Sequence, residues 1–188
     1  MRLDINRAMA DFDHPLEMLG ACHERIEGQC ETLHRLAEYL PRHGSDAEAQ
    51  QAASNVMRYF DSAGRHHRED EEQNLFPAML RAARGEAAQR IALLTRTLLA
   101  EHETIERAWL VLRDTLERIA HGGAVSLDRG EVERFCRLYR THMALEEAHL
   151  FPLAETLLEG ETITTLGQAM AWRRGVRSVN RPPTWKGD

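Results

Sequence analysis

A chain of 188 residues, 29% charged and 6% aromatic with a net charge of −6, is long enough to bury one core and too acidic for a general nucleic-acid binder. Its glycines and prolines are too few for the turns of an all-β fold, and it has no apolar run of roughly eighteen residues to cross a bilayer. These limits point to one all-α domain in the cytoplasm, without nucleic-acid or membrane partners. His14-Pro15 opens a first helix whose apolar positions Leu16, Leu19, Ile26, Leu33, Leu36 and Leu40 recur at helical spacing until Pro41. Ser45, with Glu48 three residues on, reads as the capping box of a second helix that carries Val56, Tyr59, Phe60, Leu75 and Phe76 towards Arg84, where Gly85 closes it. A third helix runs from about Glu86 through Ile91, Leu98, Ile105, Trp109 and Leu116 to the break at Gly122-Gly123. The fourth begins between Ser126 and Asp128, keeps Val132, Phe135, Leu138, Leu145, Leu150 and Leu157 on its apolar face, and reaches Gly160. Short joints between long helices predict an antiparallel up-down-up-down four-helix bundle over residues 1–160. Residues 161–188 read as a short helix, about Thr162 to Trp172, followed by a basic tail that is a solvated or loosely docked arm.

One motif is written twice. His23 is followed in the next helix by His67 and Glu71, and His102 by His142 and Glu146; each H-x-x-x-E then runs into Leu-Phe-Pro, at Leu75-Phe76-Pro77 and Leu150-Phe151-Pro152. At about 1.5 Å per residue, His23 lies about 26 Å before the first turn and His67 about 33 Å after it, and the other pairs match similarly across their turns. All four helices therefore bring their ligands to one layer. Within H-x-x-x-E, the imidazole and the carboxylate share a helix face. Four histidine nitrogens and two carboxylates able to bridge suit a pair of divalent or trivalent metals inside a dry bundle, and two iron ions joined by an oxo or hydroxo bridge are the natural pair. Two histidines, two carboxylate oxygens and a shared bridge leave one position open on each octahedral metal. O2, NO or peroxide would bind there. Glu27 and Glu106, four residues after His23 and His102, are candidate additional ligands that would fill those positions; otherwise they are outer acceptors or solvent-facing acids.

The other histidines are assigned no ligand role. His66, with Asp70, lies one residue out of phase with His67, about 100° round the helix. His149 is expected in the bundle interior as a core residue or outer partner, and His14, His34, His43 and His121 on the surface. Trp109, Phe135 and Cys30 stand seven residues from a ligand and are expected to pack over the metals. Each proline is expected to bend or end its helix. Cys22, Cys30 and Cys136 form no C-x-x-C pair and read as free, buried thiols in a reducing compartment. The opening residues meet Asp11 and Asp13 without an apolar stretch, so no signal peptide is expected.

Over roughly Phe12 to Leu158 the doubled H…H-x-x-x-E-E-x-x-L-F-P resembles the hemerythrin family in its broader HHE cation-binding form. The resemblance implies a non-haem di-iron centre with His23, His67, His102 and His142 as terminal ligands and Glu71 and Glu146 as bridges. Oxygen-carrying hemerythrins have a fifth histidine where this chain has Glu106, and a carboxylate where Glu147 competes with Glu146, which argues against oxygen transport. The ligand set is closer to bacterial proteins similar to the group that repairs iron centres, but their Cys-bearing N-terminal domain is absent from this sequence. The function expected is binding or sensing of a small gas or oxidant; the alternatives are a di-iron enzyme for peroxide decomposition, NO reduction or iron oxidation, or an iron donor.

Overall fold

Pro15 occupies the first turn of α1 (Pro15–His43), where its missing N–H costs no bond, and Gly44 closes the other end at φ 66°, donating its N–H to the Leu40 carbonyl at 2.8 Å. The computed structural model describes residues 11–176, and every regular element among them is helical. Pro41 does not stop α1: in the last turn it removes one donor, and the helix runs on to His43. The next cap is Asp46 rather than Ser45. The Asp46 carboxylate accepts the Ala49 N–H at 3.0 Å to start α2 (Ala47–Tyr59), while the Ser45 hydroxyl donates to the Gly123 carbonyl at 2.6 Å.

The second rod continues from α2 through a π-helical stretch (Phe60–Gly64), α3 (Arg65–Asp70), a second π-helical stretch (Glu71–Leu75) and α4 (Phe76–Ala82). Gly85, at φ 59°, opens α5 (Gly85–Ala120) rather than closing the helix before it. Asp128 caps α6 (Arg129–Leu145), which passes through a third π-helical stretch (Glu146–Leu150) into α7 (Phe151–Leu157). Neither Leu-Phe-Pro ends its helix. Pro77 and Pro152 have no N–H for the regular ladder, so the preceding turn widens to π and the helix resumes with the proline in its first turn.

The rods contact one another in a ring, α1 with α2, α2 with α5, α5 with α6 and α6 with α1. Their apolar faces form two buried clusters. One gathers Ile26, Leu33, Val56, Phe60, Trp109, Leu116 and Phe135; the other gathers Leu19, Leu75, Met79, Leu98 and Leu150. Along the first three rods, the histidine and glutamate positions of the doubled motif fall between the residues of one cluster and those of the other, and on the fourth they flank Met143 at the edge of the first cluster.

Helix α8 (Glu161–Arg173) adds Leu166 and Met170 to the second cluster. A side chain at Gly167 would lie 1.8 Å from the Phe12 carbonyl oxygen, so α8 needs this glycine to pass the N-terminal segment. Its basic end is no solvated arm. Arg173 and Arg174 both pair with the fully buried carboxylate of Asp70, Arg174 at 2.7 Å, and Arg173 also donates to Asn74 Oδ1 at 2.8 Å. The pairing offsets the desolvation of Asp70, whose carboxyl burial pushes above the ordinary range. The rest of the basic tail, from Arg177, and the opening residues read for a signal peptide lie outside the described residues.

Removing both arginines leaves Asp70 buried and unpaired, so Arg173→Ala with Arg174→Ala should cost about 3–5 kcal/mol in urea unfolding. Asp70→Asn should cost less, because the freed guanidinium groups can turn out to water. A larger loss for Asp70→Asn than for the double variant would refute this account of the clasp.

Candidate metal centre

His23 on α1, His67 on α3, His102 on α5 and His142 on α6 turn inwards, none more than 5% exposed, and Glu71 and Glu146 are fully buried. Spacing of four brings each carboxylate under the imidazole on its own rod, with His67 Nε2 3.0 Å from Glu71 Oε1 and His142 Nε2 3.3 Å from Glu146 Oε1. The second oxygen of each crosses to another rod: Glu71 Oε2 lies 3.2 Å from His102 Nε2, and Glu146 Oε2 lies 3.1 Å from His23 Nε2. The donors thus form two groups, His23-His67-Glu71-Glu146 and Glu71-His102-His142-Glu146, in each of which the ligand atoms lie within 4.8 Å of one another. Each carboxylate offers one oxygen to each group, which is the arrangement of a bridge.

These short contacts are not good hydrogen bonds. Both oxygens of Glu71 and Glu146, His23 Nε2 and both nitrogens of His67 are buried without a hydrogen-bond partner among the described residues. Leaving that many polar atoms unsatisfied would be very costly. A cation between the lone pairs satisfies both kinds at once, and imidazole with carboxylate suits iron, manganese or zinc. The electrostatics of the cluster without ions agree. Burial, reinforced by the Glu146 charge, pushes Glu71 up to about 7. Burial also opposes ionisation of Glu146, but His142 and His23 outweigh it and hold that carboxyl well below its usual value. Burial disfavours charge on His142 too, yet the adjacent Glu146 carboxylate and the hydrogen bond to Glu101 raise it to about 10. Desolvation, joined by the neighbouring His23, His142 and His102 and opposed by Glu146, holds His67 well below the usual imidazole range. Ions would take over the charge balance that protons otherwise supply.

Three acids behind the imidazoles escaped sequence reasoning as outer partners. Glu147 lies 2.8 Å from His23 Nδ1, Glu72 2.8 Å from His102 Nδ1 and Glu101 3.0 Å from His142 Nδ1, so each can accept the Nδ1 proton and leave Nε2 free for a metal. The E-E doublets held the clue for two of them. Glu147 does not compete with Glu146, since its carboxylate is 58% exposed and faces the outer edge of His23.

Glu27 and Glu106 are not brought to the cluster. An arginine of another rod draws each of them outwards: Arg140 pairs with Glu27 at 2.7 Å and Arg68 with Glu106 at 2.6 Å. His66 is half-buried and off the His67 face, with its partner in the sequence pattern, Asp70, taken by the arginines of α8. His149 is exposed, not interior: it falls in the π-helical stretch after Glu146, where the widened turn shifts the helical phase. His14, His43 and His121 are exposed and His34 is half-buried against Glu133. Phe60, which the motif did not single out, packs its ring 4.9 Å from Trp109 and 5.1 Å from Phe135. Cys30 and Phe135 are fully buried beside it.

A cavity of about 270 Å³ reaches this layer from one side, meeting His67, His102 and His142. Phe60, Ile105, Trp109 and Tyr139 wall it, and the pairs Arg68–Glu106 and Asp61–Arg113 are also among its lining residues. The Trp109 indole N–H donates to Asp61 at 3.0 Å, fixing that wall.

The family model of the hemerythrin HHE cation-binding domain matches residues 14–154. An uncharacterized protein of Haemophilus influenzae is 31% identical over 172 residues, covering 89% of this chain and 94% of the relative.

His67→Ala and Glu146→Ala should each lower bound metal per chain by half or more in elemental analysis. His66→Ala and Glu106→Gln should leave it within error, since neither side chain is placed among the buried donors. Equal losses in all four variants would refute the assignment of the inward face.

Proposed function

This chain belongs to the hemerythrin HHE cation-binding family, and we propose that its ring of rods is an antiparallel up-down-up-down four-helix bundle holding two iron ions that bind or sense a small oxidant or gas. The observation that carries the reading is the pair of buried carboxylates, each with one oxygen towards either histidine pair and no hydrogen bond of its own. His23 and His67 would hold one ion, His102 and His142 the other, and Glu71 and Glu146 would bridge them. When bound, the irons supply redox chemistry and coordination positions for O2, NO or peroxide.

The protein's own part is access, orientation and exclusion of water. Because Arg68 holds Glu106 away from the buried donors, the cavity lined by Trp109 and Tyr139 offers a small molecule a path to the layer. Phe60, Ile105, Trp109 and Tyr139 line one part of that approach and the Arg68–Glu106 and Asp61–Arg113 pairs another, and its small volume suits a small molecule. Glu72, Glu101 and Glu147 fix the imidazole tautomers. No candidate membrane-spanning helix occurs among the described residues, and the three buried cysteines are free thiols, which suits the reducing cytoplasm.

Anaerobically loaded with iron(II), the protein should bind two ions per chain and change its visible spectrum on exposure to O2, NO or peroxide. A chelator should then lower the melting temperature by about 10–20 °C, the effect of losing about 2.7 kcal/mol of binding free energy for each of two ions at metal a hundredfold above its dissociation constant. Iron loading with no spectral response to any of the three would exclude the proposed role.

A further inference from the structure

The doubled motif is less symmetric than it reads. By the repeat, Glu147 behind His23 corresponds to Glu72 behind His102. Glu101, immediately before His102, supports His142; its counterpart immediately before His23 should support His67. That position holds Cys22, in Ala21-Cys22-His23-Glu24 against Ala100-Glu101-His102-Glu103. Cys22 is buried against the second rod, whose Tyr59 hydroxyl donates to the Cys22 carbonyl at 3.4 Å, and His67 Nδ1 has no hydrogen-bond partner among the described residues. The halves differ again in the carboxylates they do have. Glu72 and Glu101 are 33% and 29% exposed, whereas Glu147, the one support of the other half, is 58% exposed and shares its charge with water.

We propose that the two halves of the centre hold their ions unequally, the ion at His102 and His142 bound more tightly and the ion at His23 and His67 leaving first. This rests on the two-ion reading above. A carboxylate behind a ligating histidine raises the basicity of the metal-facing nitrogen and holds the ring in place, and losing one weakens metal binding about 10–100-fold. The His102–His142 half has two such supports and the His23–His67 half one. The centre therefore has a resident ion and an exchangeable one.

The test uses cobalt(II) as the probe metal in the full chain, with release into excess EDTA followed by the cobalt visible bands. Wild type should release two ions in two phases of equal amplitude, with rates at least about 10-fold apart. Glu72→Gln with Glu101→Gln should speed the slow phase about 10-fold or more and spare the fast one. Glu147→Gln should act on the fast phase alone. Cys22→Glu, which places an acceptor where the repeat lacks one, should slow the fast phase; should it fail to fold, the glutamine variants still decide. Two ions leaving at one rate, or Glu147→Gln acting on the slow phase, would overturn the inequality. Saturation at one ion or none would overturn the two-ion reading itself.

Discussion

The constraint on which the structure depends is the burial of two carboxylates side by side among four imidazoles, with no hydrogen-bond partner for either carboxylate among the described residues. Desolvating even one unpaired carboxylate costs several kcal/mol, and here two sit between apolar layers at zero exposure. The chain tolerates this only if positive charge occupies the middle. Every surrounding feature serves that end: the apolar clusters on either side exclude water, and the outer acids hold the imidazoles with Nε2 turned inwards. A core of this kind contributes little stability without its ions and much with them.

The widened turns explain how six donors from four rods meet. Two of the three π-helical stretches begin at Glu71 and Glu146 themselves, and the third ends three residues before His67. A π turn adds one residue to a loop of helix and so shifts the phase of everything after it, as the exposed His149 shows, while Glu71 with Leu75 and Glu146 with Leu150 are buried within the widened turns. Pro77 and Pro152, by withholding an N–H, make the wide turn the cheaper local solution. The Leu-Phe-Pro endings thus belong to the centre's geometry though they touch no ligand.

What the sequence made legible was whatever follows from one period and from repetition. The apolar spacing of three and four placed the rods, and the doubled H…H-x-x-x-E named the six residues that the structure brings together. The α8 clasp was not legible, because an acid at position 70 and arginines a hundred residues on carry no local mark of their pairing. His149 was misplaced because a regular period was carried across a π turn that breaks it. Glu27 and Glu106 looked like ligands because i+4 spacing predicts a shared face, but arginines on neighbouring rods compete for each carboxylate, and only three-dimensional packing reveals them. Glu101 could have been found by comparing the residues just before each upstream histidine, where the repeat fails.

That failure has a consequence for how such a centre could act. Were both halves supported alike, each ion would respond equally to a small molecule arriving at the layer. The cavity, however, meets His67, His102 and His142 and does not reach His23. Of the three rings it meets, His102 and His142 each have an acid behind them, whereas His67 Nδ1 has no hydrogen-bond partner among the described residues. His67 lies on α3, between two π-helical stretches and three residues before Asp70, the anchor of α8. The least restrained ligand is thus carried by the same short helix that fastens the C-terminal segment. If a change at the centre is to be felt elsewhere in the chain, α3 is the shortest mechanical path the fold provides.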